Sequence, residues 1–167
     1  ENQVKKHEQQ LYRAYKLAKL GWWEWNIHGE QIDAANELYE LFGISKEQYP
    51  VFNTGVYLSL VHPDDLSFAL ENLAIFWRSP YHQSRHRVKK PSGEIIYVEL
   101  DVQTVNDENG NVIGVQGMVQ DITEQQQQAE ERSTLDQQLR QANHSLLMAL
   151  ESMSDGFCTT DRHWNFT

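Results

Sequence analysis

Two groups of side chains in this 167-residue chain have types and spacing suited to chemistry. His62, Asp64 and Asp65, in the run VHPDDL, offer the nitrogen and oxygen donors of a metal site. The same residues fit a helix start better, because Pro63 suits a first helical position and carboxylates there complement the helix dipole. The second group lies in YHQSRHRVKK, residues 81–90. If this is a strand, His82, Ser84, His86 and Val88 share one face, and Tyr81, Gln83, Arg85, Arg87 and Lys89 share the other. Strand rise separates His82 from His86 by about 13 Å, so that pair alone cannot hold one ion. There is no glycine-rich phosphate loop, no HExxH and no cysteine cluster, Cys158 being the single cysteine. Glu24, between Trp23 and Trp25, reads as an outward strand residue. The fragment is expected to be noncatalytic.

The elements that position these groups follow from periodicity. Residues 1–19 predict a helix, with Val4, His7, Leu11, Ala14 and Ala18 on one stripe, Tyr15 and Leu20 broadening it, and Gly21 ending it. That helix either lies on its own domain or pairs with a second subunit. Residues 20–124 form the expected globular domain. GWWEWNI and QIDAA are strands. NELYELFGI is a helix with Asn36 as cap, Gly43 as stop and Leu38, Leu41 and Phe42 on its apolar face. VHPDDLSFALENLAIFW is a second helix, with Leu66, Ala69, Leu70, Leu73 and Phe76 at helical spacing. Three strands joined at PSG and NDENG follow. Ile96, Val98, Leu100 and Val102 alternate in the second, and Ile113, Val115 and Val119 in the third, where Gly117 marks a bulge or a close backbone approach. The order predicts an α+β fold, a five-stranded antiparallel sheet with helices packed on one face.

Residues 121–153 predict one long helix. Asp121 or Thr123 is its cap, and Asp121 with Glu124 has the spacing of a capping box. Leu135, Ala142 and Ala149 interleave with Leu139, Leu146 and Met153 in close to three heptads. So narrow a stripe needs a cover, and another copy of the chain is the simplest one. The domain plan is therefore 1–19 N-terminal helix, 20–124 globular domain, 125–153 linker helix and 154–167 the start of something further.

The formal charge of −10 disfavours nucleic acid and anionic membrane as partners. A lone cysteine excludes an internal disulfide framework and fits a reducing, cytoplasmic setting. No apolar run reaches the length of a membrane span, although the parent protein could be anchored elsewhere.

The segments GWWEWNI, ELYELFGI, VHPDD, HRVKKPSGE and GVQGMVQDITE together resemble the PAS sensor domain, in the subclass with an HPDD helix start and a DIT exit, over roughly residues 18–124. LLMALESMSDGFCTTDRHWNFT resembles the opening of a second PAS domain. The resemblance implies a sensory and dimerisation module of a bacterial signalling protein, such as a sensor histidine kinase or a cyclic-dinucleotide enzyme, feeding a downstream output domain. It places His86 and Val88 on the pocket face, so His82, Ser84, His86, Val88, Ile96, Val98 and Leu100 are the candidate pocket. Buried polar groups there want internal partners, trapped water or a small polar ligand. Asp121, Ile122, Thr123 and Glu124 are the candidate signal junction. Leu11, Ala14, Ala18, Leu135, Leu139, Ala142, Leu146, Ala149 and Met153 are the candidate homodimer contacts. No cofactor is expected: the cysteine-bearing flavin motif is missing, and His62 lies at a helix entrance rather than mid-helix, as a haem ligand would. A ligand-free protein-interaction scaffold and a haem-dependent gas sensor are the alternatives.

Overall fold

The structure, a computed structural model, describes Gln10 and residues 13–154, without the side chains of Met153 and Ser154. Expectations for Val4, His7, Leu11, Cys158, the Met153 side chain and the segment after residue 154 lie outside the described residues.

Helical residues 13–17 end at Lys19, whose φ of 52° is left-handed, and β1 (Leu20–Asn26) begins at once. The expected stop at Gly21 is therefore corrected: the break comes two residues earlier and Gly21 is already strand. Next come β2 (Ile32–Ala34), α1 (Asn36–Phe42) and α2 (Thr54–Leu60). A 3-10 turn (Pro63–Asp65) leads into α3 (Leu66–Phe76). Then follow β3 (Tyr81–Lys89), β4 (Ile95–Asn106), β5 (Val112–Asp121) and α4 (Thr123–Ser154). The strands form one antiparallel sheet in the order β2-β1-β5-β4-β3, with helices against one face, as the element order implied.

Alternation builds the buried face. Ile96, Val98, Leu100 and Val102 of β4 are all buried, beside Ser84, His86 and Val88 of β3 and Val115 and Val119 of β5. Register fixes the cross-strand rows: His82, Val102, Gly117, Trp23 and Ala34 lie abreast, as do His86, Val98 and Asp121. Gly117 is a close approach rather than a bulge, since a Cβ there would lie 2.4 Å from the Asp101 carbonyl oxygen and 2.8 Å from the Trp23 ring. The irregularity falls instead between Val105 and Asn106, which pair with Gly114 and Val112. Ile113 is thus the unpaired extra residue and is exposed rather than part of the buried row.

The helices required three further corrections. Ala35, not Asn36, is the N-cap of α1 and makes no side-chain cap bond, whereas Gly43 does end the helix at φ 68°. Helix α2 was not expected; Asn53 caps it by accepting the Val56 N–H at 3.0 Å. In α3 the face on the sheet is Ala69, Asn72 and Phe76, leaving Leu66 and Leu70 exposed. The chain divides into two compact units between Glu124 and Gln125. Among the described residues no helix is long and apolar enough to cross a membrane.

Candidate sensory core and exit junction

β3 carries its even-numbered side chains into the layer between sheet and helices. There each histidine meets a partner supplied by a helix. His82 Nε2 bonds Asn72 Oδ1 from α3, whose own Nδ2 donates to the Phe68 carbonyl at 2.7 Å. His86 Nε2 lies 2.6 Å from the Tyr57 hydroxyl of α2. Burial pushes the Tyr57 phenol far above its ordinary range, so it keeps its proton and donates it to His86. Nε2 is then the acceptor and Nδ1 carries the hydrogen. Burial, opposed by the Asp65 charge, lowers the His86 pKa to about 4, so the ring is neutral at pH 7. His86 Nδ1 and the Ser84 hydroxyl are buried without a hydrogen-bond partner among the described residues.

The cavity beside this cluster is small, about 30 Å³. That is room for one or two water molecules. Its walls are apolar and aromatic, among them Trp23, Phe42, Phe52, Tyr57, Phe76 and Leu100. Of the seven residues expected to line a pocket, Leu100 alone borders it. His82, Ser84 and His86 stand outside its lining, and Val88, Ile96 and Val98 are packed solid. The cavity lies toward β1 and α1, which supply Trp23, Trp25, Leu38 and Phe42 to its wall.

The VHPDD segment turns its chemistry outward to the edge of β3. His62 Nδ1 accepts the Asp64 N–H at 3.3 Å, closing the 3-10 turn. Asp65 grips Arg87, taking the guanidinium at 2.9 and 2.6 Å and the backbone N–H at 2.8 Å. The Arg87 hydrogen bond is the main reason the Asp65 pKa falls to about 2. His62 N–H donates to the Arg87 carbonyl at 2.9 Å, and Val61 bridges Val88. The donors of the possible metal site are thus engaged in pinning an edge strand. No cluster of His, Cys, Asp and Glu able to hold a metal occurs among the described residues.

At the other end of the His86 row stands the exit from β5. Asp121 Oδ1 accepts the Thr123 N–H at 2.9 Å and the Thr123 hydroxyl at 2.5 Å. The Thr123 oxygen in turn accepts the Tyr97 N–H of β4 at 2.9 Å, and Ile122 N–H donates to the Tyr97 carbonyl at 2.8 Å. Asp121 N–H donates to the Lys19 carbonyl at 3.1 Å, bringing the incoming backbone against the outgoing one. Glu124 does not close a capping box in this structure; its carboxylate lies 3.7 Å from Lys19 Nζ. The four junction residues are therefore together. On α4, Leu135, Leu139 and Leu146 are 58–64% exposed, and Ala142 and Ala149 are exposed beside them. Ala14 and Ala18 are exposed as well.

Sequence reasoning missed Tyr57 and Asn72. Asn72 was findable, since it falls three residues after Ala69 and four before Phe76 on the buried stripe. Tyr57 was hidden in a seven-residue helix interrupted by Gly55, with only Asn53 announcing its start.

Comparison with known proteins agrees with this architecture. A sensory box histidine kinase/response regulator from Burkholderia thailandensis superposes with a TM-score of 0.61 at 19% identity, over 79% of this chain and 98% of that one. The N-terminal domain of a diguanylate cyclase with PAS/PAC sensor from Marinobacter aquaeolei gives 0.57 at 16%, over 64% and 98%. A domain of a putative light and redox sensing histidine kinase from Haloarcula marismortui gives 0.54 at 15%, over 69% and 99%. No curated protein matches the chain. The family described as "PAS fold" matches residues 31–119, more than half of the chain. With its antiparallel sheet, helix-covered core and matched segment, the chain belongs to the PAS-fold family.

Proposed function

We propose that this domain senses a change in its helix–sheet core and passes it to α4 through the Asp121–Thr123 clamp, acting as a dimer within a larger signalling protein. The observation that carries the reading is the cross-strand row His86–Val98–Asp121. It spans two strand spacings, roughly 10 Å, and joins the buried Tyr57–His86 pair to the group that fixes the helix start. A rearrangement at His86 has a packed path to Asp121. The clamp then converts it into a change at the first turn of α4 instead of local fraying. The HPDD and DIT segments fill the roles of edge pin and exit clamp, and a second module after residue 154 and an output domain beyond it are part of the proposal.

The exposed stripe of α4 supports pairing with a second copy. Its residues recur in steps of four and three, the spacing that fits knobs into the holes of an identical helix. The proposed pair is parallel, so that like positions face each other. Fully packed Val88, Ile96 and Val98 favour a domain that works without a bulky cofactor, although a small polar guest near Ser84 and His86 is compatible with the reading.

Hydrogen exchange on the 167-residue chain tests the relay. His86→Gln should lower protection of residues 122–128, and the same change should have no further effect in an Asp121→Ala background. Equal and additive losses in both backgrounds would defeat it. Sedimentation equilibrium tests pairing: the chain should dimerise at tens of micromolar, roughly, and Leu139→Glu should weaken this by burying a charge in the seam.

A further inference from the structure

The turn between β4 and β5 holds the one asparagine of the chain that is followed by glycine. Asn109 is exposed there, and Gly110 follows it at a left-handed φ of 84°. The Asn109 side chain makes no hydrogen bond among the described residues. Other asparagines are held. Asn26 Oδ1 accepts the His28 N–H at 2.9 Å and Asn53 Oδ1 the Val56 N–H at 3.0 Å, while Asn72 Nδ2 donates to the Phe68 carbonyl at 2.7 Å and Asn111 Nδ2 to Asp107 at 3.0 Å. These four precede isoleucine, threonine, leucine and valine, whose side chains crowd the following backbone nitrogen.

We propose that Asn109 is a self-modifying site, whose side-chain amide converts to a carboxylate through a ring closed on the Gly110 nitrogen and whose rate is held down by Asp107. The Gly110 nitrogen gives up its proton and its electron pair attacks Asn109 Cγ. The bond from Cγ to the amide nitrogen breaks, and ammonia leaves carrying a proton in exchange. The intermediate is a cyclic imide. Water then adds to one of its two carbonyls. Attack at Cγ returns an aspartate, whereas attack at the backbone carbonyl leaves the chain running through Cγ as isoaspartate. Amide and water become carboxylate and ammonium, so nothing is oxidised or reduced. Glycine suits the nucleophile because no Cβ shields its nitrogen. The surroundings are open as well, since a Cβ on Gly110 would meet nothing within 4 Å.

Hydrogen bonds within the turn set the rate. Asp107 Oδ1 accepts the Asn109 and Asn111 N–H groups, each at 2.9 Å, and Oδ2 accepts Asn111 Nδ2. Such side-chain bonds to nearby backbone are what favour aspartate in turns. Gly110 N–H donates to the Asp107 carbonyl at 3.0 Å, and Asp107 N–H to the Asn111 carbonyl at 2.9 Å. While these bonds hold, the Gly110 proton is engaged and the nitrogen is not free to attack. Reaction therefore proceeds from the locally opened turn, and Asp107 is the clamp that keeps it closed. Isoaspartate adds a carbon to the main chain of this turn and sets a new carboxylate beside Asp107 and Glu108. The hairpin should then loosen at the end where Asn106 pairs with Val112, and stay paired where Val98 meets Asp121. Neither the relay nor the helix pairing proposed above is needed for this chemistry.

Incubation of the folded 167-residue chain in mildly alkaline buffer tests the site, read by peptide mapping and by labelling with an isoaspartyl methyltransferase. Product should accumulate at position 109 ahead of every other asparagine, with matching release of ammonia. Asn109→Gln should abolish it, because the longer side chain closes the ring poorly. Asp107→Ala should speed conversion by about fivefold, the factor expected from losing about one net hydrogen bond that holds the turn. Asn111→Ala removes only the contact to Oδ2 and should speed it less. Circular dichroism confirms that the variants compared are folded. Hydrogen exchange of the separated isoaspartate form should rise across residues 104–114 and match the unmodified chain across 96–102. Earlier conversion at another asparagine, or an Asn109 that stays intact in the folded chain, would overturn the site. A rate at Asn109 that neither Asp107→Ala nor Asn111→Ala moves would overturn the clamp.

Discussion

Acidification from pH 7 to pH 5 should destabilise the folded domain by about 2 kcal/mol through His86. The ring has an ordinary pKa of 6.5 when unfolded and about 4 when folded, because burial disfavours its cation. A depressed basic group means that the unfolded chain binds the proton first, so stability falls as pH drops below 6.5 and levels off below the folded value. Proton binding favours the unfolded chain by ~0.2 kcal/mol at pH 7 and by ~2 kcal/mol at pH 5. Asp65 does not contaminate this window, since Arg87 holds its pKa to about 2 and it stays ionised throughout. The matching control is the double variant Tyr57→Phe with His86→Leu, which removes both partners of the 2.6 Å hydrogen bond and the unpartnered Nδ1 together. Replacing both members should leave stability at pH 7 within about 1 kcal/mol of the parent, whereas Tyr57→Phe alone strands a buried acceptor and should cost about 1–3 kcal/mol. Urea unfolding at fixed protein concentration, followed by the fluorescence of buried Trp23 and its companions, gives the stabilities needed: parent and double variant at both pH values, and Tyr57→Phe at pH 7. If the double variant keeps the full loss between pH 7 and pH 5, the reasoning about His86 is wrong.

The remaining predictions concern the scaffold and the exit. Arg87→Leu should lower stability at neutral pH by leaving the Asp65 carboxylate without its guanidinium partner. Its penalty should shrink as pH falls from 3.8 toward about 2, where the carboxylate protonates in the parent too; urea titration of both proteins measures this. Gly117→Ala should cost about 1–3 kcal/mol, because its Cβ would meet the Asp101 carbonyl of the neighbouring strand and the Trp23 indole inside contact distance, and it should lower the thermal midpoint accordingly. Asp121→Ala should remove about 1 kcal/mol of local stability, read as faster exchange in residues 122–128 with Ile96–Val102 nearly unchanged. The purified chain should show no visible absorption band; stoichiometric haem or flavin absorbance would reverse the expectation that it carries no chromophore.

The sheet was legible because its chemistry is local and periodic. Val88, Ile96, Val98, Leu100 and Val102 alternate with polar residues, so their burial follows from period alone, and PSG and NDENG mark the turns between strands. The pairing of β1 with β5 joins Leu20 to Gln120 across a hundred residues and came from the need to complete one sheet, not from any local signal. The candidate site was harder. Parity put His82 and His86 on one face and the PAS resemblance made that face the inner one, but their partners Asn72 and Tyr57 belong to helices whose rotation the sequence leaves open. Leu66 and Leu70 show the same ambiguity from the other side: α3 is apolar around most of its surface, so spacing could not decide which edge meets the sheet. The cavity depends on how far aromatic side chains reach into the layer, which no pattern of residue types encodes. At the exit the spacing of Asp121 and Glu124 pointed to a capping box, whereas the actual second partner is Thr123, whose hydroxyl bridges to β4.

The 3.1 Å contact between Asp121 N–H and the Lys19 carbonyl has a consequence for how such proteins are assembled over evolutionary time. The backbone arrives and departs at nearly the same point, so the intervening hundred or so residues form a closed excursion from the path of the chain. A segment with adjoining ends can be duplicated, deleted or spliced into a host while leaving the host's trajectory almost undisturbed. Only the phase of the outgoing helix must be preserved. Recombination between such segments should therefore tolerate wide divergence inside the excursion, and tolerate least a change in residue count between Lys19 and β1 or between Asp121 and α4.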